Sequence, residues 1–243
     1  MFEREENQAG ITRMVQVDSG LRSHMLKVYN YMTMGLLITA FTSLFFLSSG
    51  LVKHFYSLNK EGLYGPNALF WLVVLSPLVL VFMFSSSVNK LNVGKAKTIF
   101  LAFSVLMGMS LSTILIAYTG ASVFRVFLIA AGTFGGMSLY GYTTKKDLSG
   151  WGSFLIMGVI GLIIASVVNM FLGSSMMYMA ISVIGVLLFV GLTAYDTQKI
   201  RNMYSANDSK ELADAKAISG ALSLYLDAIN LFIYLLRLFG ERR

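Results

Sequence analysis

Polar residues recur on one face of the last apolar segment of the chain, at alternating spacings of three and four residues. The intervening positions are mostly Leu, Ile, Phe and Ala. Residues at this spacing lie along one side of an α-helix. A charged group that faces lipid costs at least about 2.5 kcal/mol, so we expect this polar stripe to face the protein interior or a water-filled cavity. It comprises Gly220, Ser223, Asp227, Asn230, Tyr234 and Arg237.

Two aspartates could do chemistry near this stripe. Asp227 lies well inside the last apolar segment, and Asp196 lies at the end of the preceding one. Two carboxyl groups in contact cannot both ionise cheaply, so they would share a proton. The pair is predicted to form a latch that is closed while the proton is shared and loosened when both groups are charged. Alternatively, Asp196 caps a turn or pairs with Lys199 or Arg201, and Asp227 is held by a backbone or tyrosine hydrogen bond.

Catalytic signatures are missing around these acids. Tyr195-Asp196 matches the first half of the intramembrane aspartyl protease signature, but Asp227 is not preceded by Gly-x-Gly. The chain has no Gly-x-Ser-x-Gly and no cysteine, and its two histidines, His24 and His54, are expected to be solvated at segment edges. We therefore predict that the protein is not an enzyme and binds no cofactor tightly.

Composition places the acids in a membrane protein. Of the 243 residues, 56% are hydrophobic and only 13% are charged, against about 25% charged in soluble domains. Seven apolar segments have the length of about 20 residues that crosses a bilayer. The fold class is therefore all-α integral membrane, with seven transmembrane helices. The segments are Val28–Ser49, Asn67–Val88, Thr98–Tyr118, Ser122–Tyr142, Trp151–Leu172, Ser175–Tyr195 and Ile218–Phe239.

Basic residues at the segment ends set the topology, and neither their positions nor any motif indicates nucleic-acid binding. Residues 1–27 are predicted to be a cytoplasmic N-terminal tail and residues 28–240 a single transmembrane domain. With this orientation, thirteen Lys and Arg residues lie on the cytoplasmic side and five on the other, which follows the positive-inside rule. The basic C-terminus then lies outside. A last segment that enters and returns would place it inside, but we expect seven full crossings.

Helix neighbours can be predicted in two ways. The connections 119–121 and 173–174 are so short that the helices on either side should be antiparallel neighbours. The fourth segment contains Gly132 and Gly136 at the GxxxG spacing, together with Gly135, Ser138 and Gly141. This spacing lets helices approach closely in lipid, and it is expected to mark a tight helix contact.

Two longer motifs resemble the transmembrane Bax inhibitor motif family. They are Tyr195-Asp196-Thr197-Gln198-Lys199-Ile200 and the run from Ala221 to Phe232, and Thr144–Ser149 is also typical of the family. The chain looks like a bacterial member of the inner membrane. The resemblance implies a seven-helix fold in which six helices surround a central C-terminal helix. It also implies a pH-sensitive calcium leak controlled by Asp196 and Asp227, with Ca2+ as the transported ion and a transient ligand of the pair.

Some members of that family have a basic residue after the second helix that engages the aspartates. The best match here is Lys90, which lacks the bidentate geometry of the expected arginine. Together with four residues of the stripe it completes the set of gating or pore-lining candidates. These are Lys90, Ser223, Asn230, Tyr234 and Arg237.

Three functions compete at this point. The first is a proton-gated leak that interacts with the bilayer, Ca2+ and protons. The second is a non-channel membrane protein that binds and modulates other membrane proteins, as in stress or protease regulation, with the aspartates merely holding the bundle together. The third is a proton-coupled transporter, although the sequence lacks the clear internal repeat common in transporters.

Overall fold

A chain in lipid must satisfy its backbone hydrogen bonds internally, so apolar segments of this length cross the membrane as helices. The computed structural model describes the backbone of residues 2–58, 64–89 and 92–243 and the side chains of residues 19–58, 65–88 and 92–243. Its α-helices are α1 Phe2–Ser48, α2 Ala68–Asn89, α3 Val93–Leu115, α4 Gly120–Thr143, α5 Gly152–Leu172, α6 Ser175–Asn202 and α7 Lys210–Phe239.

Seven helices in the described ranges are long and apolar enough to cross a membrane. This confirms the predicted all-α fold of seven transmembrane helices. The first of these candidates lies within Ser19–Ser48, the part of α1 whose side chains the structure describes, and this range contains the predicted segment up to Ser48. The side chains of residues 1–18 lie outside the described residues, and the cytoplasmic tail stays a prediction.

Polar side chains set the starts of several helices. The side-chain oxygens of Thr119, Ser174 and Ser209 accept hydrogen bonds from backbone N–H groups in the first turns of α4, α6 and α7. Such caps satisfy donors that have no partner within the helix. Gly173 ends α5 at φ 61°, a left-handed conformation that glycine adopts without a steric penalty. The α5–α6 turn is therefore encoded locally.

The last helix, α7, is the centre of the bundle. It packs against α1, α2, α3, α4 and α6, whereas α5 packs on α6. Ala217, Ile218, Ala221, Leu224 and Tyr225 of α7 are all completely buried. The resemblance implied six helices around the C-terminal helix, but among the described residues only five contact it closely, and α5 lies one helix further out because it packs on α6.

Short connections predicted helix neighbours in only one of two cases. Helices α5 and α6 pack against each other, as their two-residue connection requires. Helices α3 and α4 do not pack closely although only residues 116–119 join them, because α3 packs mainly on α1 and α2 whereas α4 packs on α6 and α7. A short connection fixes where the two helix ends lie, but the angle between the helices is free.

The glycines of α4 have two different roles. A Cβ on Gly141 would overlap the carbonyl group of Ala194, so glycine is what allows α4 and α6 to touch here. Gly132 and Gly136 are exposed, and a Cβ on either would meet nothing within 4 Å. The predicted contact through the GxxxG pair is therefore wrong within this chain, because the pair lies on the lipid side of α4.

The C-terminus lies beside the α3–α4 connection. The Thr119 N–H donates to the Glu241 carbonyl at 2.9 Å, and the Arg243 N–H donates to the Ala117 carbonyl at 3.0 Å. Helix α7 therefore crosses from the face of the α6–α7 connection, here called the N-terminal face, to the opposite face. This agrees with seven full crossings and rejects the alternative of a returning last segment. The opposite face also carries a small antiparallel pair of strands, β1 Tyr56–Leu58 and β2 Tyr64–Pro66.

Candidate functional site

The polar stripe lies along α7 at the centre of the bundle. Asp227 is buried, with 5% of its surface exposed. Gly220 is buried against Ile200 of α6, and Ser223 and Asn230 are half-buried. The stripe therefore faces protein, as the cost of a charge in lipid requires.

Asp227 has an incomplete environment. Its Oδ2 is buried and has no hydrogen-bond partner. Most buried side-chain polar atoms in folded proteins are paired. Among the described side chains, the only buried polar atoms without a partner are this oxygen and Nε2 of His24. The predicted alternative of a structural hydrogen bond from a backbone or tyrosine is therefore not observed for Oδ2.

Asp196 lies half-buried on α6, facing this region. It is close enough for its charge to act on Asp227. No hydrogen bond joins the two carboxyl groups among the described contacts, so a shared proton stays a prediction. The two acids that the sequence singled out therefore lie within electrostatic range of each other on neighbouring helices.

The cations near Asp196 are engaged elsewhere. The Lys199 ammonium lies 5.9 Å from the centre of the Tyr195 ring, although its charge also acts on Asp196. The Arg201 guanidinium donates to the carbonyls of Tyr142 and Thr144 at the end of α4. Neither side chain forms an ion pair with Asp196 among the described residues, so the alternative role for this acid is not supported.

A set of contacts fixes the end of α6 that carries Asp196. The Gln198 side-chain amide accepts from the Leu148 N–H and donates to the Lys146 carbonyl, both at 2.7 Å. The Thr197 hydroxyl lies 3.0 Å from that of Ser138, which in turn lies 2.6 Å from the Tyr29 hydroxyl. These contacts tie α6 to the α4–α5 connection, α4 and α1, so the motif around Asp196 is a positioning element.

A second buried cluster fixes α7 near Asp227. The Tyr225 hydroxyl lies 2.6 Å from the Thr39 hydroxyl, which donates to the Ser104 carbonyl at 2.9 Å. The Tyr225 ring makes edge contacts with Phe100 and Phe103. Sequence reasoning missed Thr39 and Tyr225, because a lone hydroxyl on each of two distant helices gives no local signal.

The far end of the stripe is aromatic and cationic. The Tyr234 ring stacks on Phe189 with 5.7 Å between ring centres. The Arg237 guanidinium lies 5.2 Å from the centre of the Tyr234 ring and 5.8 Å from that of Tyr178. Asn230 donates to the Leu226 carbonyl at 2.8 Å. Tyr234 and Arg237 thus form one cluster near the opposite face, separate from the aspartates.

A small cavity reaches the stripe from α2. It has a volume of about 210 Å³ and lies between Phe84 and Ser85 of α2 and Ser219 and Ser223 of α7. Ser223 is four residues before Asp227, so this lining residue lies one helical turn from the acid. Lys90 lies outside the described residues, and its contact with the pair stays a prediction.

The histidines and acids do not form a chelating group. No cluster of three or more His, Cys, Asp or Glu side chains occurs among the residues that the structure describes. Calcium ions usually take six to eight oxygen ligands, so two carboxyl groups fit transient contact with an ion better than storage. His54 is exposed as expected. His24 was predicted to be solvated but is only 7% exposed, because it lies beside the Tyr204 ring.

Comparison with known proteins decides the family. The model of the family described as "Inhibitor of apoptosis-promoting Bax1" matches residues 21–243. The chain belongs to this Bax inhibitor family. An inner membrane protein of Escherichia coli (strain K12), YbhL, is 45% identical over 232 residues, which cover 95% of this chain and 96% of that protein.

Other bacterial relatives match over similar lengths. A protein of Rickettsia prowazekii (strain Madrid E) is 44% identical, with 93% of this chain and 92% of that protein covered. A protein of Caulobacter vibrioides is 42% identical, with coverages of 94% and 92%. The match to the Bax inhibitor family spans all seven crossings, which confirms the resemblance seen in the two motifs.

Proposed function

We propose that this Bax inhibitor family protein is a pH-sensitive calcium leak of a bacterial inner membrane, and that it conducts ions rather than catalysing a reaction. Asp196 and Asp227 would be both the proton sensor and the transient cation site. The proposed location rests on the inner-membrane relative of 45% identity and on the seven membrane-length helices.

One observation carries this proposal. Asp227 lies in the central helix with a buried oxygen that has no partner, and the charge of a second carboxyl group acts on it. A carboxyl group kept only for structure would be expected to have its hydrogen bonds satisfied. Ionisable groups within membrane helices commonly mark ion or proton pathways, and this one has capacity left for a proton or a cation.

The proposed gate follows from electrostatics. When one carboxyl group is protonated, the pair can form a hydrogen bond between α6 and α7 and hold them together. When both groups are charged they repel each other and attract a divalent cation. The cavity at Ser223 offers an approach from α2. The Arg237 guanidinium near the opposite face would repel Ca2+, so passage requires this side chain to move, which fits a slow leak.

Calcium flux into liposomes tests the gate. Purified protein should admit Ca2+ faster at mildly alkaline than at acidic pH, and Asp196→Asn and Asp227→Asn should each remove this pH dependence. Glu211→Gln is the matched control, because it removes one acid from the exposed first turn of the same α7. Glu211→Gln should keep the pH dependence of the wild type. If both Asn variants keep it as well, the proposed latch is wrong.

One observation favours a second function, the modulation of other membrane proteins. Gly132 and Gly136 form an exposed GxxxG pair on α4 that no other helix covers within the described part of the chain, and such surfaces suit close contact with another helix. Crosslinking from the neighbouring Met137 would capture a stoichiometric partner if this is the role. Absence of calcium flux together with such a partner would favour this function over the leak.

A further inference from the structure

A lateral groove separates α1 from α4 near the N-terminal face. Both helices pack on α7 but not closely on each other. The space between them has a volume of about 450 Å³, within the range of small-molecule sites. The Tyr29 and Ser138 hydroxyls, 2.6 Å apart, join the two helices where they approach. The groove is therefore held in shape by a contact between α1 and α4, and it opens towards the outside of the bundle.

The walls of this groove are apolar. Met25 and Leu26 of α1 face Phe134 and Leu139 of α4 across it. Gly135 lies in the α4 wall, and a Cβ there would meet nothing within 4 Å. The lack of a side chain at this position leaves room for an elongated apolar group.

Arg22 gives the groove a charged mouth. It lies near the N-terminal end of the part of α1 whose side chains the structure describes, and it lines the groove. Its side chain is exposed and makes no ion pair or hydrogen bond with another described residue. By contrast, Lys27 of α1 is paired with Asp214. A guanidinium that no described acid pairs with, beside an apolar groove, complements a phosphate attached to an acyl chain.

A second cation lies beside this mouth. The guanidinium of Arg201 donates to the carbonyl of Tyr142, a groove residue at the end of α4. From Arg22 to Tyr29 the groove follows α1 for seven residues, or roughly 10 Å. The dimensions suit the first part of an acyl chain that lies along the helix with its headgroup at Arg22.

We infer that the groove between α1 and α4 is a binding site for an anionic phospholipid, with the phosphate on Arg22 and one acyl chain along Phe134 and Gly135. This site is separate from the aspartate pair, and the inference does not depend on ion conduction. A second copy of the chain or a foreign helix is the competing occupant, and a lipid is favoured by the charge at the mouth.

Native mass spectrometry of the full-length, delipidated protein tests the site. Titration with phosphatidylglycerol and with phosphatidylcholine should show tighter binding of the first. Arg22→Gln should lower the phosphatidylglycerol affinity about tenfold and remove the preference, since a hydrogen bond to a charged group is lost. Arg125→Gln is the control, because Arg125 is an exposed arginine of α4 that pairs with Glu241 at the opposite face.

Filling the groove tests the acyl-chain position. Gly135→Leu should abolish the tight binding event, whereas Gly132→Leu should leave it unchanged, because Gly132 is an equally open glycine of α4 outside the groove. Circular dichroism would verify that each variant is folded. Equal affinity for both lipids, an unchanged preference in Arg22→Gln, or unchanged binding in Gly135→Leu would overturn the inference. A dimer that Gly135→Leu dissociates without any loss of lipid binding would assign the groove to a second copy.

Discussion

Replacing Asp227 by Leu separates a functional carboxyl group from a structural one. The two side chains branch at the same atom and are similar in shape, so the change is mainly one of polarity. Asp227 is 5% exposed and its Oδ2 has no partner. A buried polar group left unsatisfied costs about 1–3 kcal/mol. We therefore expect Asp227→Leu to raise the free energy of unfolding by about this amount.

The contrasting variant is Asp208→Leu. The Asp208 Oδ2 lies 2.7 Å from the Lys216 ammonium, and the two side chains are 10% and 25% exposed. Removing this carboxyl group leaves a partly buried cation without its ion pair, although Lys216 still donates to the Met203 carbonyl. We expect the free energy of unfolding to fall by about 1 kcal/mol.

Equilibrium unfolding in mixed micelles, with dodecyl sulfate as denaturant and far-UV circular dichroism as the signal, measures both variants. The same preparations would be assayed for calcium flux. A variant that is more stable but has lost pH-dependent flux identifies Asp227 as a residue retained for function at the expense of stability. If Asp227→Leu loses as much stability as Asp208→Leu, Asp227 holds the bundle together and the reasoning fails.

Two further predictions concern positions away from the acids. Gly141→Ala should lower the free energy of unfolding by about 1–3 kcal/mol in the same assay, because its Cβ would meet the Ala194 backbone. The control Gly136→Ala should be neutral or stabilising. Equal effects of the two substitutions would contradict the α4–α6 contact. Asp147 accepts hydrogen bonds from the backbone N–H and the hydroxyl of Ser149, which lower the pKa of its carboxyl group below the ordinary 3.8. These bonds therefore stabilise the turn fully above pH 3.8, and the stabilisation is lost as the pH falls through the lowered pKa. The protection factor of the Ser149 amide against hydrogen exchange should therefore fall in acid for the wild type and be low at all pH values in Asp147→Ala. A variant with the wild-type protection factor would refute this.

Much of the architecture could be predicted because lipid imposes strong rules on sequence. Apolar length fixed the seven crossings, and the spacing of Asp227 and its polar neighbours correctly placed α7 inside the bundle. Both predictions depend on the cost of placing polar groups in hydrocarbon, which applies to each helix separately.

Contacts between distant helices could not be predicted in this way. Gly132 and Gly136 have the same residue type as Gly141, but only Gly141 faces a neighbour, because the rotation of α4 is set by its packing on α6 and α7. The link from Tyr29 through Ser138 to Thr197 joins three helices by single hydroxyls, which have no periodic signal. Arg237 is on the same predicted stripe as Asp227, but its neighbours are aromatic rings nearer the opposite face, which the spacing of the stripe did not indicate.

The central position of α7 has a consequence for biogenesis. The ribosome synthesises this helix last, yet five earlier helices use it as their common packing surface. Until residues 210–239 emerge, those helices lack their shared partner and must keep an open seam between them. Assembly therefore finishes only when the segment with the buried acid enters that seam, and a stop codon ahead of Lys210 would leave an incomplete bundle for quality-control proteases.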